Sequence, residues 1–201
     1  MANPTNKVKY NLKNVHVVAI TKAVDGTITF GSSIMHIPGA VSLSLPPSGE
    51  QNIFYADGTK YYITNGNDGY EGSLEMALIP DAFTEKYLGN VMDDNNVIVE
   101  DKDADLAHFA LMFEFDGDKH STRHILYDCV ASRPELTSRT NEANIEVQTE
   151  TMNITVGSVF NDYLKKNIVK SKTTADTDQT VYDSWFTNPY QPEEPPTPPG
   201  P

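Results

Sequence analysis

The hydrophobic pattern of the chain changes its period at Pro80. Across residues 70–78 the large apolar side chains occupy alternate positions, which is typical of a strand with one buried face. Proline suits the first turn of a helix, and the apolar residues that follow it, Phe83 and Tyr87, are spaced to share one helical stripe. The residues therefore predict a strand that leads into a short helix near residues 80–89. The side chains expected in the core here are Leu74, Met76, Leu78 and Phe83.

Three further pairs of segments predict β-hairpins. Asp25-Gly26 and Asp57-Gly58 divide two of these pairs, and this dipeptide favours the tight turn that joins antiparallel strands. The third and strongest pair joins residues 106–115 to residues 123–131. The side chains expected to fill a core from this pair are Phe109, Leu111, Phe113, Phe115, Ile125 and Tyr127.

The strands outnumber the helix, so the expected class is mainly β: two packed antiparallel sheets with one flanking α-helix. Residues 1–13 are polar and predict an N-terminal arm, and residues 14–170 are expected to form a β-sandwich domain. Residues 171–187 are predicted to be an extended C-terminal arm. Residues 188–201 are rich in proline, which favours polyproline II, and predict a linker or tail.

The composition excludes several classes of function. A net charge of −13 and a pI near 4.6 argue against ordinary binding to a phosphate backbone, which needs clustered Lys and Arg. Cys129 is the only cysteine, so no internal disulfide is expected and folding in a reducing cytoplasm fits. No apolar run is long enough for a membrane span, and residues 1–10 have no apolar core of a secretory signal.

No candidate for catalysis or metal binding outweighs a structural interpretation. The segment 101–105 begins like an EF-hand loop but lacks the required Gly and the final Glu. His108, His120 and His124 have no Cys or carboxylate at metal-site spacing. Cys129 alternates with Ile125 and Tyr127, which favours a buried thiol over a nucleophile.

Two strand carboxylates, Glu71 and Glu75, share parity and would lie on one sheet face, as the paired acids of glycosidases do. They fall opposite Leu74 and Met76, so exposed acids are the simpler interpretation. We therefore expect no enzyme activity, no cofactor and no metal.

Several segments, taken in order, resemble the pattern of the major tail proteins of long-tailed bacteriophages and prophages of Gram-positive bacteria, the phi13-like family. The likeness covers roughly residues 6–187. The residues that carry it are Gly69-Tyr70-Glu71-Gly72, Leu74-Glu75-Met76-Ala77-Leu78-Ile79-Pro80-Asp81, Ile37-Pro38-Gly39-Ala40-Val41-Ser42-Leu43, Phe54-Tyr55-Ala56-Asp57, Phe109-Ala110-Leu111, Phe113-Glu114-Phe115, Gly117-Asp118-Lys119, Arg123-His124-Ile125-Leu126-Tyr127, Ala131-Ser132-Arg133-Pro134, Gln148-Thr149-Glu150-Thr151 and Val181-Tyr182-Asp183-Ser184-Trp185-Phe186.

The resemblance implies a virion structural protein, made in the host cytoplasm, whose hexameric rings stack into the hollow tail tube. It implies a tail-tube β-sandwich or barrel with a long loop or hairpin that reaches the neighbouring ring. The implied partners are further copies of the chain, the tape-measure protein, the tail terminator and distal tail proteins, with DNA passing through the lumen without specific binding. Candidate lumen-facing acids are Glu71, Glu75, Glu146 and Glu150, because each is expected on a strand.

A second class of function is compatible with the strand pattern. A β-sandwich module that binds carbohydrate, such as an adhesin domain, would stack sugars on exposed aromatic rings, and Tyr61, Tyr62 and Trp185 are the candidates.

Overall fold

The computed structural model describes residues 4–140 and 146–193. It is an antiparallel, mainly β structure with two short helices, so the predicted class is confirmed. The strands are β1 (Lys9–Lys22), β2 (Ile28–His36), β3 (Ala40–Ser44), β4 (Pro47–Ser48), β5 (Gln51–Ala56), β6 (Thr59–Asn65), β7 (Gly69–Met76), β8 (Val91–Met92), β9 (Ile98–Val99), β10 (Phe109–Gly117), β11 (Thr122–Ala131), β12 (Glu150–Gly157), β13 (Val159–Asn161), β14 (Lys166–Ile168) and β15 (Lys170–Lys172), and the helices are α1 (Asp81–Tyr87) and α2 (Gln179–Ser184).

The main sheet has nine strands and rolls up on itself. Its order is β2-β1-β10-β11-β12-β7-β3, with β15 paired to β11 and β4 paired to β7. Five pairing steps separate β1 from β3, so a flat sheet would hold them about 24 Å apart. Their Cα atoms instead come within 8 Å of each other. One rolled sheet therefore supplies both layers, where two packed sheets were expected.

The interior of the roll holds the larger core. The rings of Phe83 and Tyr87 on α1 pack against Phe109, with ring centroids 5.6 and 5.1 Å away. Helix α1 therefore closes one side of the roll, as its apolar stripe predicts. The buried apolar residues of this core are Val15, Val17, Ile37, Leu74, Met76, Ile79, Phe83, Tyr87, Leu88, Phe109, Leu111, Phe113, Leu126, Cys129, Ala131, Met152, Ile154 and Val156.

A second core lies on the outer face of β1, β10 and β11. Helix α2, the β13–β14 hairpin and the segment after α2 cover it, so the central strands are buried on both faces. Phe115 is only half-buried, at the edge of the interior core. The buried members of this second core are Val18, Ile20, Ile28, Ala110, Met112, Ile125, Tyr127, Val159 and Trp185.

Strand β11 changes the face it presents between Tyr127 and Cys129. The register against β10 shifts by one residue between the pairs formed by Phe109 and Leu111. This bulge moves Cys129 into the interior core, whereas Ile125 and Tyr127 belong to the outer core. The prediction that all three share one face is therefore wrong.

Leu78 is the core prediction that the structure overturns, because its side chain is 65% exposed. Strand β7 ends at Met76, so the alternation that placed Leu78 inward has stopped. The chain then turns towards α1, and Ile79 is buried instead.

Both ends of the predicted domain also need correction. Residues 9–13 belong to β1 rather than to an arm. The segment 171–187 is not extended, because it ends β15 and then forms α2. Residues 188–193 pack on the body: Tyr190 stacks on Trp185 at 5.3 Å, and Asn161 donates a hydrogen bond to the Pro192 carbonyl. The rest of the proline-rich segment lies outside the described residues.

Neither of the two helices in the described part of the chain is long and apolar enough to cross a membrane.

Candidate assembly surfaces

The three histidines considered as metal ligands lie apart. His108 shares a 2.5 Å hydrogen bond with Asp128 just before β10 begins, whereas His124 pairs with Phe113 in the middle of β10. In the described residues no group of three or more His, Cys, Asp or Glu side chains is placed to hold a metal ion. The backbone of His120 donates to Asn6, which serves to hold the N-terminal segment.

The other two chemical candidates have local structural roles. The Asp101 carboxylate accepts the backbone N–H of Asp103 at 2.9 Å and so closes its own turn. Cys129 is a fully buried free thiol, and burial raises its pKa well above the ordinary value. A thiol held protonated in this way is a poor nucleophile at neutral pH.

Strands β3, β7 and β12 present an outward polar surface, here called the acidic face. Cross-strand pairing aligns its members: Glu75 lies between Ser42 and Thr151, and Glu71 opposes Thr155. Val41, in the bulge of the edge strand, is exposed beside it. The acidic face consists of Ser42, Ser44, Glu71, Ser73, Glu75, Thr151, Asn153 and Thr155.

Glu75 is fixed in its charged form at the centre of the acidic face. Thr149 donates a hydrogen bond of 2.6 Å to one carboxylate oxygen, and Ser42 donates one of 2.8 Å to the other. These hydrogen bonds, led by the one from Thr149, lower the pKa of Glu75 below its ordinary value. Glu71, which is exposed, shares the same face. Two of the four predicted acids therefore lie together.

The other two predicted acids lie elsewhere. The Glu150 carboxylate accepts the backbone N–H of Ile79 at 2.7 Å, just before α1 begins, so it serves as an internal hydrogen-bond partner. Glu146 is exposed and precedes β12, which begins at Glu150, so the expectation that it lies on a strand is wrong.

The β5–β6 hairpin, here called the aromatic hairpin, projects without a core of its own. Asp57 and Gly58 form its turn with positive φ angles, as the sequence predicts. The neighbouring cross-strand pairs Ile53–Ile63 and Phe54–Tyr62 fall on opposite faces. Among its described side chains none is buried. An isolated two-stranded ribbon is at best marginally stable in water, so this hairpin is suited to docking.

One of the aromatic residues considered for sugar stacking is not available. Trp185 is only 2% exposed, its indole N–H donates to the His124 carbonyl, and Tyr190 covers its ring. Tyr61 and Tyr62 are exposed, but they belong to the aromatic hairpin.

Strand β2 forms an edge of the main sheet. Within the described part of the chain it pairs only with β1. Its middle carries Gly31, Ser32 and Ser33, and the strand itself contains no Lys or Pro, although the Lys86 ammonium on α1 donates to the Ser33 carbonyl at 3.5 Å. An edge of this kind can accept a strand from another chain.

Comparison with known proteins gives no relative: no family model, no curated protein and no solved structure matches this chain.

Proposed function

We propose that this protein is the subunit of a bacteriophage tail tube, which assembles into stacked rings around a lumen that conducts DNA. The observation that carries the proposal is the aromatic hairpin, because it exposes apolar side chains on both faces and has no core in its own chain. Such a ribbon is stabilised when a neighbouring subunit covers it.

Ring closure also accounts for the free edge of β2. In a closed ring every subunit uses the same two surfaces, so an edge strand on one copy meets a complementary surface on the next. Pairing between copies then removes a surface that would otherwise promote aggregation.

The acidic face has the chemistry expected of a lumen wall. It combines Glu71 and Glu75 with serine, threonine and asparagine, and its paired residues include no cation. Carboxylates repel phosphates over about 8 Å at physiological salt, so only acids near the passing DNA would act on it. On this proposal the tape-measure protein occupies the lumen first, and the tail terminator and distal tail proteins bound the tube.

Removing the aromatic hairpin tests the proposal. The Gly66 N–H donates to the Glu50 carbonyl at 2.9 Å, so a two-glycine linker can replace residues 51–65 without disturbing the body. We expect the wild-type chain to form rings and tubes by electron microscopy, and the shortened chain to remain folded but to lose tubes at least tenfold.

Matched point variants test whether tube formation depends on the apolar side chains of the hairpin or only on the presence of the hairpin. Phe54→Ser with Tyr62→Ser removes one apolar pair and should reduce tube formation, whereas Asn52→Ala with Thr64→Ala alters the next polar pair on the same face and should not. A shortened chain that makes tubes as well as the wild type contradicts the proposal. A wild-type monomer that binds glycans would favour the carbohydrate-binding alternative.

A further inference from the structure

A pocket of about 610 Å³ opens at one end of the rolled sheet and concentrates positive charge. The chain carries 28 acidic residues and only 15 Lys and Arg, yet four lysines converge here and no described lining residue is acidic. We call it the lysine pocket. Its lining residues are Asn6, Lys7, Val8, Lys9, Phe115, Thr122, His124, Lys170 and Lys172.

The charges of the four lysines are not neutralised by a carboxylate in the described part of the subunit. None of them forms an ion pair with a residue in the described part of the chain. Lys9 lies over the Phe115 ring at 5.0 Å and Lys170 over the Tyr70 ring at 4.6 Å. These cation–π contacts hold the side chains at the rim and leave the ammonium groups able to bind an anion.

An apolar chamber of about 190 Å³ adjoins the lysine pocket and shares four of its lining residues. Its remaining walls are the side chains of Leu43, Leu45, Tyr70, Phe113 and Leu126. An occupant that satisfied both parts would combine carboxylates with apolar side chains. A peptide fits that description better than a phosphate backbone does.

The chain itself contains a segment of this kind, at the end of the rolled sheet opposite the lysine pocket. Residues 91–105, here called the acidic ribbon, hold the β8–β9 pair with exposed Val97 and Val99, followed by the exposed acids Asp103 and Asp105. Within the described part of the chain the Asp103 carboxylate forms an ion pair only with Lys102, and both of these side chains are largely exposed.

The acidic ribbon and the lysine pocket lie at opposite ends of β10. The ribbon leads into Phe109, whereas the pocket is lined by Phe115, and six residues of strand span about 20 Å. Within one copy the acidic ribbon therefore cannot reach the lysine pocket, but the ribbon of one copy can reach the pocket of the next. The aromatic hairpin leaves from the pocket end, because Leu45 and Tyr70, which precede and follow it, line the apolar chamber.

We propose that the lysine pocket receives the acidic ribbon of a second copy of this chain, so that copies dock head to tail. This inference rests on the proposed function and identifies a contact between successive rings. A head-to-tail contact that does not close propagates along an axis, as a tube requires.

Charge reversal tests the contact. Lys170→Glu with Lys172→Glu should reduce tube formation at least tenfold in electron microscopy and reduce higher oligomers in sedimentation velocity. Lys119→Glu with Lys166→Glu makes the same change in net charge at exposed sites outside the pocket and should assemble like the wild type. Fluorescence of Trp185, the single tryptophan, reports whether each variant is folded. If the glutamate pair unfolds the chain, Lys170→Ala with Lys172→Ala gives the same test with a milder change.

Restoring complementarity identifies the occupant. Adding Asp103→Lys and Asp105→Lys to the pocket variant should restore assembly to within about threefold of the wild type, whereas those two changes alone should impair it. The inference is overturned if this rescue fails, or if the pocket variant forms tubes as well as its control variant does. Either result leaves the tail-tube proposal standing. Wild-type assembly into particles other than tubes, abolished by the pocket variant and restored by the rescue, would support the pocket contact and contradict the tube.

A wild-type chain that stays monomeric contradicts both the tail-tube proposal and the contact between the lysine pocket and the acidic ribbon. Fluorescence anisotropy with a labelled short DNA tests nucleic acid as the alternative occupant of the lysine pocket. DNA binding by the wild type that is lost in the pocket variant would assign the pocket to nucleic acid and overturn the inference.

Discussion

His124 is neutral in the folded chain because of where its ring lies. The imidazole stacks on Phe113 at 5.1 Å with nearly parallel planes. Burial, followed by the positive charges of Lys172, Lys170 and Lys9, lowers its pKa to about 4. The unfolded chain therefore binds a proton at this residue between about pH 6.5 and pH 4 when the folded chain does not.

We predict that His124 makes the chain less stable as the pH falls. The pKa of His124 is lower in the folded chain than in the unfolded chain. The contribution of neutral His124 to the unfolding free energy is therefore complete above the unfolded-state pKa and is lost as the pH falls towards the folded-state pKa. Between pH 7 and pH 5 the wild type should lose about 2 kcal/mol more unfolding free energy than His124→Gln. Urea unfolding followed by circular dichroism at both pH values measures this difference. Equal losses for the two proteins would contradict the prediction.

Single residues also show where sequence patterns stop being informative. The alternation that runs through Leu74 and Met76 stops before Leu78, because β7 ends at Met76 and a turn follows. The position of Cys129 depends on a bulge in β11, which leaves no signature in a run of apolar residues. Both features are set by the tertiary context of the strand rather than by its local pattern.

At the scale of elements, one arginine attaches helix α2 to the sheet. The Arg123 Nε donates to the Glu114 carboxylate at 2.7 Å, and its guanidinium lies 3.9 Å from the Tyr182 ring centroid. It also donates to the Tyr182 carbonyl. Glu114 is only 4% exposed, and Lys13 is its other ionic partner at 3.3 Å. Loss of Arg123 would leave a buried carboxylate with one partner fewer.

We predict that Arg123→Ala loosens α2 and lowers the unfolding free energy by about 3 kcal/mol, the cost of breaking a buried ion pair. Trp185 follows α2 directly and is the only tryptophan, so its emission should shift to longer wavelength as it meets water. Arg123→Lys keeps the charge but lacks the planar guanidinium, so its unfolding free energy and Trp185 emission should lie between those of the wild type and Arg123→Ala. An unchanged emission spectrum together with unchanged stability would contradict this role.

The predictable elements were those with strong local signals. The aromatic hairpin follows from Asp57-Gly58 between alternating segments, and α1 follows from Pro80. Helix α2 was missed because it spans six residues and has no buried residue within it. Asp178 is the signal that could have revealed it, since its carboxylate accepts from the N–H groups of Thr180 and Val181 as an N-cap.

At the scale of the whole molecule, the two ends of the rolled sheet differ in charge. One end carries the lysine pocket and the aromatic hairpin, and the other carries the acidic ribbon. The lysines come from two Lys-x-Lys patterns, at residues 7–9 and 170–172, near opposite ends of the sequence. Lys170 and Lys172 share one face of β15, whereas Lys7 precedes β1 and Lys9 begins it, and only the folded topology brings the two patterns together. No local reading of the sequence could have placed them in one pocket.

The most direct test of the tail-tube proposal is a cryo-electron microscopy reconstruction of particles formed by the purified full-length chain. We predict a hollow tube of stacked rings with Glu71 and Glu75 on the wall of the lumen. A chain that forms no hollow assembly under any salt condition that keeps it folded would contradict the account.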